Sequence, residues 1–135
     1  MTKKSEIGIL ILRLVLGITF LIHGLDKFQS GIGNIAGWFE SIGLPGFLAY
    51  IIATIETVGG LAVILGLGTR IVSFLFILVL AGAIITVKIA VGFTGNGQMA
   101  GYELDLALLA IAVHLAINGS SLYSVDALLR KKDSI

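Results

Sequence analysis

Four long apolar runs separated by glycine-rich breaks decide most of what this chain can become. They cover about residues 7–25, 47–67, 71–93 and 102–118. Each is close to the ~20 residues that a helix needs to cross the hydrocarbon core of a bilayer. The breaks are GLPGF, which holds the single proline, Pro45; GLGTR around Gly68; and GFTGNGQMAG over 92–101. Of 135 residues, 57% are hydrophobic and 13% charged, where a soluble domain carries about 25% charged. A soluble fold of this size cannot hide that much apolar surface, whereas a bilayer covers it. The pattern predicts one all-α domain over 1–135: an integral membrane four-helix up-down bundle, with short connections making neighbouring helices antiparallel.

Basic residues orient such a bundle. Lys3 and Lys4 precede the first run, Arg70 sits in the second break, and Arg130, Lys131 and Lys132 close the chain. All fall on one side of a four-span arrangement, which predicts that both termini are cytoplasmic. The first run carries Arg13 and no clean small-residue cleavage site, so it reads as a retained span rather than a signal peptide. In GIGNIAGWFESIGLP, Ile32, Ile35, Phe39 and Ile42 recur at helical spacing beside Trp38, which predicts a short interfacial helix on the outer side. SLYSVDALLRKK reads as an interfacial tail on the inner side.

Ionisable residues inside the runs are the chemistry-bearing feature, because charge near the midplane is costly and is retained for pairing or function. They are Arg13, His23, Glu56, Lys88, Glu103, Asp105 and His114. At 100° per residue, Ala49, Ala53, Glu56 and Gly60 share one face. Glu103, Ala107, Ala110 and His114 share another. Arg13, Gly17 and Gly24 form a third, with Lys27 nearby and His23 at its edge. Small residues let helices approach closely in lipid, so the three stripes are expected to face one another. By helical rise, His23, Lys27, Lys88, Glu103 and Asp105 fall near the outer boundary, Glu56 near the middle, and Arg13 and His114 in the inner half. Blander roles stand beside these. Asp26 and Asp105 also read as boundary residues, Lys88 and Glu103 as an ion pair joining two helices, Arg13 as a side chain reaching the inner headgroups. His23 and His114 also read as residues that bond a neighbouring backbone or carboxylate.

Several chemistries are poorly served. There is no cysteine, hence no disulfide, thiolate metal site or iron–sulfur cluster. His23 and His114 differ by ~15 Å in depth, which argues against a haem held by both. His23, Glu103 and Asp105 lack metal-ligand spacing, so no metal is expected. No phosphate loop, flavin or nicotinamide motif appears, and a net charge of +1 suggests no nucleic-acid partner. What remains suits a small, lipophilic, oxygen-bearing ligand such as a quinone, or proton-coupled passage of a small solute.

In order along the chain, RLVLGITFLIHGLDKF, IIATIETVGGLAVILGLGTR, ITVKIAVGF and YELDLALLAIAVHL resemble the DoxX family of small four-helix membrane proteins. The matching positions are Arg13, Gly17, His23, Gly24 and Lys27; Glu56, Gly59, Gly60, Gly66, Thr69 and Arg70; then Lys88 and Glu103. The resemblance implies a multi-pass protein of the bacterial cell membrane, associated with quinone or catechol oxidoreduction. In that picture Lys27, Lys88, His23 and Arg13 bind ligand, and Glu103 and Glu56 exchange protons. A quinone is substrate or carrier, no cofactor is resident, and a partner redox subunit supplies electrons. Two other classes fit the residues: a small permease for aromatic solutes using Glu56, and a scaffold docking a soluble oxidoreductase on the basic tail.

Overall fold

A computed structural model of the protein describes residues 2–133, apart from the side chains of 132 and 133. Lys132, counted above among the basic residues closing the chain, therefore has its side chain outside the described residues. The fold is all-α, with no strand among the described residues. Among the described residues six helices succeed one another: α1 Lys3–Gln29, α2 Ile32–Ser41, α3 Phe47–Leu65, α4 Thr69–Val91, α5 Glu103–Asn118 and α6 Val125–Asp133. Three of them, α1, α3 and α4, are long and apolar enough to cross a membrane. At 1.5 Å per residue, the 16 residues of α5 rise only ~24 Å.

Glycine decides how α1 and α3 meet. A Cβ on Gly17 would lie 2.8 Å from the Gly60 carbonyl oxygen, one on Gly60 2.5 Å from the Leu21 nitrogen, and one on Gly24 would overlap the Thr57 backbone. No side chain larger than hydrogen fits these positions, so the two backbones touch. Partners of α1 move backwards along α3, from Val63 for Arg13 to Glu56 for Lys27, which makes the pair antiparallel. The buried face of α1 holds Ile9, Arg13, Leu16, Gly17, Phe20 and Gly24. That of α3 holds Ala49, Ala53, Glu56, Gly60 and Val63, the small-residue stripe expected from spacing.

Helix α4 leaves α3 through a tight turn, with Gly66 at φ 72° and Gly68 at φ 61° in the left-handed region that glycine tolerates. Its Phe76 is fully buried and stacks on Phe20 with ring centroids 3.9 Å apart. Gly59 makes room for that ring, since a Cβ there would meet it at 2.9 Å. Over Ile84–Lys88 the helix widens into one π-helical turn. Helix α5 packs antiparallel on α4, burying Leu108, Ala112 and Leu115. The segment expected to form a short helix is α2, which packs on α3 and α1 with Phe39 buried and Trp38 exposed.

Candidate functional site

The glycine seam brings together two of the residues singled out by sequence. With Gly24 lodged against Thr57, Lys27 lies one turn further along α1 and reaches Glu56. Its Nζ sits 2.9 Å from Oε1 and 3.0 Å from Oε2, a two-oxygen ion pair. Glu56 is buried at 5% side-chain exposure, while Lys27 keeps 24%, so only the ammonium side is reachable from outside. His23, one turn before Lys27, is exposed and within electrostatic reach of Glu56. The stripes of the first and second runs thus face one another as expected, but Lys27, placed at the outer boundary beside Lys88, Glu103 and Asp105, pairs with Glu56, placed nearer the middle, because the glycine contacts set the α1–α3 register at that level.

A second pair lies at the far end of α4. Lys88 Nζ is 3.4 Å from Asp105 Oδ2 and 3.5 Å from the Gly101 carbonyl oxygen. The partner is thus Asp105, read from sequence as a boundary residue, and Glu103, read as the ion-pair partner of Lys88, is exposed. The whole stripe of Glu103, Ala107, Ala110 and His114 faces outward, contrary to expectation. Leu108, Ala112 and Leu115 are the buried face instead. The π turn at Ile84–Lys88 also changes the direction in which Lys88 leaves its helix.

At the opposite end, Arg13 is fully buried and spends its donors on four carbonyl oxygens: Nε on Val63 at 3.1 Å, Nη1 on Leu122 at 2.7 Å, and Nη2 on Ile64 and Tyr123, both at 3.0 Å. It closes the C-terminal carbonyls of α3 and holds the α5–α6 loop. Arg13 and His114, both placed in the inner half, are not bonded to each other. His114 is exposed and its neighbour is Asn118. Around the clamp lie residues that spacing did not single out. Asp126 accepts from the backbone N–H groups of Gly68 at 2.9 Å and Thr69 at 3.0 Å, capping α4 from 58 and 57 residues away. Ser120 accepts from the Thr69 hydroxyl at 2.9 Å, and Arg130 donates to the Ser120 carbonyl at 2.6 Å. Burial alone would raise the Asp126 pKa. The Gly68 and Thr69 N–H groups, the Ser120 hydroxyl and Arg130 outweigh it and hold the carboxyl below its ordinary value. One sequence signal pointed here: GLGTR begins a helix with no Ser, Asp or Asn to cap it locally. Among the described residues no three His, Asp or Glu side chains converge as a metal would need.

Apolar helices, a glycine-packed seam and an ion pair locked inside it define a small helical membrane protein. The chain belongs to the DoxX family, whose model matches residues 8–89. It is 50% identical to a Bacillus subtilis protein named "Putative oxidoreductase CatD", over 97% of this chain and 93% of that protein. It is 32% identical to the Escherichia coli "Inner membrane protein YqjF", over 98% and 99% of the two chains. An uncharacterised membrane protein of Mycobacterium tuberculosis is 31% identical, over 93% and 83%. No solved structure matches.

Proposed function

We propose that the protein is a membrane component of quinone or catechol oxidoreduction, with the Lys27–Glu56 pair as its working centre. The observation that carries this reading is the pair itself: a buried carboxylate held by an ammonium that reaches the surface. An oxygen-bearing ring approaching from that side competes for Lys27 through its carbonyl oxygen. Glu56, released from the ion pair, takes or returns the proton of a ring hydroxyl, with exposed His23 as the exchange point to the outside. The Bacillus subtilis relative's name, with "oxidoreductase" in it, supports the reaction class. When a quinone is reduced, two electrons come from a partner redox subunit and two protons are taken up, one of them through Glu56; when a catechol or quinol is oxidised, electrons and protons leave by the same routes. Lys88 serves a ligand oxygen at the α4–α5 end, Glu103 exchanges protons there, and Arg13 orders the bundle. In this reading α5 also crosses the bilayer, completing a four-helix up-down bundle with both termini cytoplasmic and α2 in the outer interface.

The test is mass spectrometry of an organic extract from gently purified protein, beside Lys27→Ala and Glu56→Gln. A quinone or catechol near one per chain in the parent, reduced at least about tenfold in both variants, is expected, equivalent to ~1.4 kcal/mol or more of binding. Bulk lipid alone in the parent, with variants that only lose stability, would make the pair a structural weld and overturn the reading.

A further inference from the structure

We propose that a groove between the start of α1 and the end of α5 binds one anionic glycerophospholipid from the adjacent leaflet. The groove measures about 600 Å³, and Ser5, Gly8, Ile9, Ile11 and Leu12 of α1 line it with His114 and Asn118 of α5. Its floor is apolar, yet three side chains with hydrogen-bonding groups open into it from a surface that otherwise meets acyl chains. Exposed polar groups at such a surface need a partner, and those the protein provides are local: Ser5 Oγ accepts from the Thr2 hydroxyl at 2.9 Å, Asn118 donates to the His114 carbonyl at 2.9 Å, and its amide lies 3.5 Å from the His114 ring nitrogens.

The groups are layered as a phospholipid is. Ser5 and Asn118 lie toward the helix ends, where a phosphate sits. His114 lies one turn deeper, at the level of ester carbonyls, and Ile9 and Leu12 continue as a wall for an acyl chain. Charge selects the headgroup. Relative to the centre of the groove, Lys4 falls within about 70° around α1, while Lys3 and Glu6 fall more than about 130° away. A lysine on the groove side of α1, with Glu6 turned away from it, favours a net-negative headgroup. Gly8 keeps the space open: a Cβ there would meet nothing within 4 Å, so glycine is not required by packing against the protein. The lipid would fill the seam between α1 and α5 at this end. The assignment does not depend on the Lys27–Glu56 reading.

Native mass spectrometry of the full chain tests it, with phosphatidylglycerol and phosphatidylcholine of equal acyl length as probes. One phosphatidylglycerol retained per chain, with about tenfold preference over phosphatidylcholine, is expected. Lys4→Gln should bring the two lipids to near equality. Gly8→Leu should cut retention about tenfold while circular dichroism and thermal unfolding stay as in the parent. His114→Leu, on an exposed face, gives the same readout if the first variant fails to fold. Lys27→Ala should leave lipid retention unchanged even where it abolishes quinone binding. Equal retention of both lipids by the parent, or unaltered retention in Gly8→Leu and His114→Leu, overturns the proposal. So does displacement by a short-chain naphthoquinone but not by short-chain phosphatidylglycerol, which would make the groove a quinone site.

Discussion

Arg13 shows what a charge inside an apolar helix does when the carbonyls around it are placed to receive it. Its planar guanidinium directs three nitrogens at four carbonyl oxygens from two separate segments. A lysine has one compact ammonium and cannot span that arrangement. Arg13→Lys should therefore destabilise the protein by roughly 2–4 kcal/mol, although charge is retained. Thermal unfolding in detergent reads this out; a change below about 0.5 kcal/mol would show that the clamp is dispensable. Asp126 makes a second residue-scale prediction. Its folded pKa lies below the ordinary 3.8, so the ionised carboxylate contributes stability that is fully present above that value. The contribution is lost as pH falls through the folded value. Asp126→Asn should lower stability by a constant amount from about pH 5 to 8, with the gap to the parent closing only below about 3.8. A gap that closes already near pH 6 would contradict the capping role.

Among the elements, α3 and α5 differ in how well their sequences announce their buried face. On α3, alanine and glycine alternate with Glu56 against large residues on the other sides, so the interior stripe is legible. On α5 every side is apolar, and small residues suggested the wrong face; Leu108, Ala112 and Leu115 are the buried one. Asp105 was missed with that face, since Glu103 and not Asp105 lies on the small-residue stripe. The wheel also assumes regular 3.6-residue turns, and α4 carries one π turn that ends at Lys88. A π turn holds one residue more than an α turn, so removing one restores a regular helix and leaves the remainder of α4 in its original orientation. Deletion of exposed Thr86 should leave the protein folded and membrane-inserted. Deletion of Leu78, in a regular stretch, should rotate the rest of α4 by ~100° and abolish folding. Equal damage from both would mean that the π turn is not an inserted residue.

Across the whole molecule, apolar length and breaks made the membrane class and the long helices legible, because hydrocarbon thickness imposes them from outside. The ends of the bundle were less legible. Arg13, Thr69, Ser120 and Asp126 are tied mostly through backbone N–H and carbonyl groups, which every residue possesses and no residue type advertises. The Asp126 cap bridges 57 and 58 positions, beyond any local pattern.

That long-distance tie carries a consequence for how the chain is made. Synthesis runs from the amino end, so α1 enters the bilayer bearing a guanidinium whose last two acceptors, Leu122 and Tyr123, do not yet exist. The carbonyls of Val63 and Ile64 become available with α3, but half of the clamp and the cap of α4 wait for residues 122–126 to emerge. A nascent chain that stops short of them keeps a polar liability in its membrane interior. A version stopped after Gly119 should insert, yet be degraded in cells several-fold faster than the full chain. Pulse-chase lifetimes would measure it, and equal lifetimes would show that nothing waits for residues 122–126.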